Sequence, residues 1–145
     1  MSEESSGGVP KSFYWIAGVA LIWDLLGVGA YVSQVTMSPD VLNAMPDAER
    51  ALYENVPAWA TAAFAIAVNG GVLGSLLLLL RKAFATPVLI ISFVGIIVQM
   101  YHSLFVVRSI EVYGPGGMIM PVMVIGIAAF LIWYSMNAKK KGWLS

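Results

Sequence analysis

An all-α membrane protein, four transmembrane helices threaded as an up-down-up-down bundle, is the fold class this chain predicts, on three observations. The composition is 59% hydrophobic and 11% charged, with mean hydropathy +0.82. A soluble domain carries about a quarter charged residues. Four apolar runs each reach roughly 20 residues, the length a helix needs to cross about 30 Å of hydrocarbon. Of the 8 Lys and Arg, Lys11, Arg81, Lys82, Lys139, Lys140 and Lys141 all fall on one side if the chain crosses four times. Basic residues mark the cytoplasmic side, so both termini are expected there.

The chain divides into a tail over 1–11, one transmembrane domain over 12–136 and a basic cytoplasmic tail over 137–145. Ser, Glu and Gly dominate the first tail, which has nothing to bury and is expected to be disordered. The first span, 12–34, has no Ala-x-Ala-like site after it and reads as a retained helix instead of a cleaved leader. On its wheel Ala17, Ala20, Asp24, Gly27 and Tyr31 form one stripe, with Val19, Ile22 and Leu26 away from it. Small residues thus share a face with the one acid, the arrangement that close helix packing around Asp24 requires.

The connection over 35–56 is acidic, with Asp40, Asp47, Glu49 and Glu54 against Arg50, and is placed outside the cytoplasm. Ser38 before Pro39 has the form of an N-cap, and Pro46-Asp47-Ala48-Glu49 that of a second helix start. Short interfacial helices are therefore expected in this first extracytoplasmic loop, their Val41, Met45, Leu52 and Val56 lying on the membrane surface or over the bundle mouth.

The second span, 57–80, sets Trp59 at the interface and ends on Arg81-Lys82. Its Ala63, Ala67, Gly70 and Gly74 make a small-residue ridge for helix contact, and Asn69 lies near mid-depth. The third, 86–107, gathers Ser92, Gly95, Gln99 and His102 into one inward stripe among Ile, Val, Phe and Leu. Arg108 and Glu111 lead into the turn-rich Tyr113-Gly114-Pro115-Gly116-Gly117. The fourth, 118–136, is nearly all apolar, with Pro121 early and Trp133-Tyr134 at its far end.

Composition excludes several functions. The formal charge is zero with no basic surface, so no nucleic-acid partner is expected. There is no cysteine, hence no disulfide, thiolate metal site or cysteine-held cluster. A single histidine rules out a bis-His haem and leaves His102 with a methionine as the one haem ligation open, and no Lys lies inside a span to form a Schiff base. No metal, cofactor or catalytic residue is expected, and the chain does not read as an enzyme.

The residue that demands explanation is Asp24. An acid at the centre of a membrane helix costs about 2.5–3.5 kcal/mol on insertion scales and should face protein or water. Asp24, Asn69 and Gln99 all approach the midplane, and His102 lies one turn further out on the Gln99 face. These four form the candidate binding site, with Asp24 holding a proton or cation, Asn69 and Gln99 bonding a solute and His102 relaying protons. The alternative is interhelical glue, with Asp24 bonded to Asn69 and Gln99 at about 0.6 kcal/mol per bond.

The stretch QVTMSPDVLNAMPDAERALYENVPAWATAAFAIAVNGGVLGSLLLLLRK, followed by Gln99-Met100-Tyr101-His102, resembles a group of small bacterial four-helix membrane proteins carried under the loose label "sugar transporter". The resemblance implies a multi-pass protein of the bacterial inner membrane. It carries no site residues over. Four crossings and no matching proline tetrad separate the chain from the three-helix half-unit of the SWEET carriers.

Two functions remain. One is a transporter of a small solute with its polar site around Asp24, expected to be a homo-oligomer because four helices leave little room for an alternating-access path. The other is a non-catalytic accessory or assembly subunit of a larger membrane complex, the small-residue ridge docking the partner. The lipid bilayer is the surrounding in both.

Overall fold

In hydrocarbon a backbone must satisfy its own N–H and C=O groups, which a continuous helix does. The four apolar runs accordingly form four long helices. The structure, a computed structural model, describes residues 9–54, 56–106, 108, 111 and 113–145. Among the described residues it is all-helical: α1 (Lys11–Val35), α2 (Pro39–Asn43), α3 (Asp47–Arg50), α4 (Ala58–Leu79), α5 (Ala85–Tyr101) and α6 (Ile119–Lys140). A π-helical segment, His102–Val106, prolongs α5, and a 3-10 turn, Pro115–Met118, precedes α6. Four helices, Lys11–Val35, Ala58–Leu79, Ala85–Val106 and Ile119–Lys140, are long and apolar enough to cross a membrane, the pattern of a multi-pass protein.

Local chemistry sets the helix ends. Pro10 precedes α1 and accepts from the Phe13 N–H at 3.0 Å, and the Thr36 hydroxyl closes the other end by donating to the Val32 carbonyl at 2.6 Å. Ser38 caps α2 as its position before Pro39 predicts, accepting from the Val41 N–H at 3.3 Å. Pro46 precedes α3, where Arg50 pairs with Asp47 and lies 3.7 Å from Glu54.

The long helices pack in sequence, α1 on α4, α4 on α5 and α5 on α6. Small residues make the closest of these contacts. A Cβ on Gly95 would lie 2.9 Å from the Ala63 carbonyl oxygen and 3.0 Å from the Ala67 nitrogen, and one on Gly70 would lie 3.3 Å from the Ser92 Cα. At such separations a side chain has no place, and the α4 and α5 backbones approach as small-residue interfaces allow. Across α1 and α4, Gly27 faces Val68 and the Tyr31 ring meets Phe64 edge-on at 5.4 Å. The stripe read on α1 is thus its packed face, while Val19, Ile22 and Leu26 are exposed.

One end is closed by a cluster that joins Phe13, Ala17 and Ala20 of α1 to Leu78, Ala85, Leu89, Leu131, Tyr134 and Leu144. Phe13 stacks on Tyr134 at 6.1 Å and meets the Trp143 ring edge-on at 5.8 Å. Here the expected tails are corrected. Of the tail expected over 1–11, residues 1–8 lie outside the described residues, Val9 packs on the cluster and Lys11 already belongs to α1.

The basic tail expected over 137–145 is also structured. Lys139 and Lys140 complete the last turn of α6, where cations suit the carbonyl end of a helix. The segment beyond folds back onto the α4–α5 turn: Ser145 N–H donates to the Arg81 carbonyl at 3.1 Å, and Ala83 N–H to the Ser145 carbonyl at 2.9 Å. Arg81 adopts φ 63, a left-handed conformation costly for any residue with a Cβ, and its Nε donates to the Trp143 carbonyl at 2.9 Å. Burying Trp143 and Leu144 is what converts a basic tail into a packed cap.

Candidate functional site

Asp24 lies in the middle of α1 on the same stripe as Ala17 and Ala20, so the packing that buries those alanines also turns the carboxyl inward. Its Oδ2 accepts a hydrogen bond from Ser75 Oγ of α4 at 2.7 Å. Its Oδ1 lies 2.6 Å from where a Cβ on Gly71 would stand. Only glycine at 71 leaves the carboxyl this position. The acid is therefore held between a donor and a notch in the facing helix, which offsets part of the cost of its depth.

The other face of Asp24 opens on a cavity of about 420 Å³ among the four long helices. Gln99 and Ser92 of α5 line it, the remaining walls being apolar groups such as Trp23, Phe64, Met100 and Met120. Ser92 is already engaged, donating to the Ala67 carbonyl at 2.6 Å. The polar atoms offered to a guest are thus essentially the Asp24 carboxyl and the Gln99 amide. That set can pair with a cation or exchange hydrogen bonds with a guest.

The sequence-read constellation divides. Asp24 and Gln99 share the cavity, while Asn69 is exposed and its amide donates to the Ala65 carbonyl of its own helix at 2.9 Å. This corrects both the solute-bonding role of Asn69 and its role as glue. The reason is angular: two residues from Gly71 is about 200° around the helix, so the face that receives Asp24 turns Asn69 away. His102 is buried, but it lines the cavity nowhere; its ring meets Trp59 edge-on at 5.4 Å. A carboxylate–imidazole relay has no support in this geometry.

Sequence reasoning missed Ser75 and Gly71. The signal for Ser75 was present: it is the lone hydroxyl in the Leu-rich half of the second span, one residue past the ridge glycine Gly74 and four past Gly71. Position 71 was overshadowed by the Gly-x-x-x-Gly pair at 70 and 74. The stripe Ser92, Gly95, Gln99 and His102 does face inward, since Ser92, Gly95 and His102 are buried and Gln99 is half-buried.

No known protein family, curated protein or solved structure matches this chain.

Proposed function

We propose that this chain is a carrier of a small solute in a bacterial inner membrane, acting at Asp24 and working as a homo-oligomer. The observation that carries the reading is the opening of the one carboxyl within the four spans onto a cavity lined by all four long helices, with Ser75 and Gln99 beside it. A purely structural acid would be expected to spend both oxygens on the protein. The up-down-up-down threading is supported by pairs that rise on one helix as they fall on the next: Asp24 with Ser75, Tyr31 with Phe64, and Thr86 with Ser135 at 2.9 Å. The gathering of Lys11, Arg81, Lys82 and Lys139–Lys141 at the end closed by Phe13 and Trp143 supports cytoplasmic termini. α2 and α3 then lie outside the cytoplasm as interfacial helices. The bacterial placement and the homo-oligomer rest on the sequence resemblance and on the short path that four helices provide.

The carrier reading is preferred to an accessory subunit docked through its small-residue ridge because α5 packs on Gly70, Gly74 and the groove at Ala63 and Ala67. Flux into proteoliposomes over a panel of sugars, amines and carboxylates tests the carrier reading. The expected result is a flux that Asp24→Asn abolishes. A flux indifferent to Asp24→Asn, or a defined heterologous partner at fixed stoichiometry with no flux at all, would overturn it.

A further inference from the structure

Resting on the carrier reading, the cavity's chemistry narrows its guest: we infer that the site around Asp24 takes a monovalent organic cation with an apolar body. A sugar would bring several hydroxyls into a chamber that offers the Asp24 carboxyl and the Gln99 amide, leaving most of them against apolar walls without partners. A divalent metal is equally unsuited. Calcium takes six or more oxygens, and among the described residues no group of three His, Asp or Glu could hold an ion. A small inorganic cation would leave most of a 420 Å³ chamber unfilled and would lose its water shell for one carboxyl.

An organic cation answers each point. One charge matches one carboxyl, and the apolar remainder matches the walls. The indole of Trp23 and the ring of Phe64 line the chamber, and the face of an aromatic ring attracts a cation. Met100 and Met120, flexible and polarizable, adapt to bodies of different shape. The position of the chamber points the same way. Beside it, sharing Trp23, Ile127 and Leu131, runs an apolar groove between α1 and α6 bordered by Trp15, Val19 and Phe130, all exposed where acyl chains would lie. A solute meeting this groove must dissolve in hydrocarbon, which a cation with an apolar body does and a sugar does not.

The test uses purified full-length protein in mild detergent and two probes of nearly the same shape and opposite charge, tetraphenylphosphonium and tetraphenylborate, with binding measured by equilibrium dialysis. Wild type is expected to hold the phosphonium at least about tenfold more tightly than the borate. Asp24→Asn, which keeps an acceptor for Ser75, should weaken the phosphonium by about tenfold or more, the scale of one lost charge-assisted contact, and leave the borate no weaker. Asp24→Asn should keep the wild-type elution volume and far-ultraviolet circular dichroism, and Gly126→Ala, where open space receives the methyl group, should keep phosphonium binding within severalfold, which separates loss of charge from loss of fold. No phosphonium binding by wild type, equal binding of both probes, or phosphonium binding indifferent to Asp24→Asn would each overturn the inference. The two readings fail separately: an Asp24-dependent sugar flux without phosphonium binding overturns the cation and keeps the carrier, whereas Asp24-dependent binding with no flux of any solute overturns the carrier and keeps the site.

Discussion

Glycines in this chain look alike in sequence and do opposite things on the two sides of the molecule. Between α4 and α5, Gly70, Gly74 and Gly95 stand where a Cβ would come within 3.0 Å of a neighbouring atom. On α1 and α6, Gly18, Gly29 and Gly126 have nothing within 4 Å of that position. The first pairing is a weld, two backbones drawn together with no room for side chains. The α1–α6 side is a seam, with ring contact between Phe13 and Tyr134 at one end and the cavity and its groove along the rest. Asp24 sits where the two meet: Gly71 receives its carboxyl on the α4 side, and the chamber lies open on the other. A rigid half and an open half in one small protein are what a binding chamber needs, since the weld holds the carboxyl in place while the seam leaves space beside it.

Substitution can break this contrast in graded steps. The largest effect is expected at Gly95→Ala, because the clash is with backbone at Ala63 and Ala67 and only separation of the helices relieves it. Overpacking of this kind costs about 1–3 kcal/mol, to be read as a lowered midpoint of unfolding in mixed micelles. A midpoint within about 0.5 kcal/mol of wild type would show that the weld is not tight.

Gly71→Ala comes next. Its new methyl group meets the free end of the Asp24 side chain, so part of the clash relaxes by rotation of the carboxyl. Stability should fall by about 1 kcal/mol while Asp24-dependent flux or binding drops severalfold, a split that Gly95→Ala would not show. Ser75→Ala removes one interhelical hydrogen bond and should cost about 0.6 kcal/mol, the average for such bonds in membranes.

On the open faces of α1 and α6, Gly18→Ala and Gly126→Ala should change stability by less than about 0.5 kcal/mol, since open space receives the methyl group. A large loss at either would mean that another surface covers that face. The smallest effect lies in the connections. The Tyr113 phenol is pushed up to about 12, first by its hydrogen bond with Tyr53 at 3.5 Å and then by burial. Tyr53→Phe should bring it back toward the ordinary value near 10 in an ultraviolet titration. Because the raised value favours the neutral phenol in the folded state, the benefit is present below pH 10 and is lost as pH climbs from 10 toward 12.

Much of this arrangement was legible in single stretches of sequence. Ser38 announces its cap, and the wheel of the first span separates Asp24 and its alanines from Val19, Ile22 and Leu26. The third span's stripe of Ser92, Gly95 and Gln99 marks its inner face. The second span gave a weaker signal. It is apolar or small on nearly every side, so no polar arc says which way it turns, and Asn69, the most polar residue in it, was the natural choice for the interior. The structure gives the inner position to Ser75, whose hydroxyl is small enough to fit against α1 and whose partner lies 51 residues away in the chain.

Sequence alone determined that four helices are long and apolar enough to span a membrane, because the length of an apolar run and the need of each backbone to satisfy itself in hydrocarbon are local properties. It also determined that one of them carries an acid at its centre. Tertiary structure decided which side chains that acid meets, that His102 lies under Trp59 away from the chamber, and that the basic tail closes one end. Those outcomes depend on the rotation of each helix about its axis, and in an apolar helix that rotation is set by the shape of the neighbour it packs against.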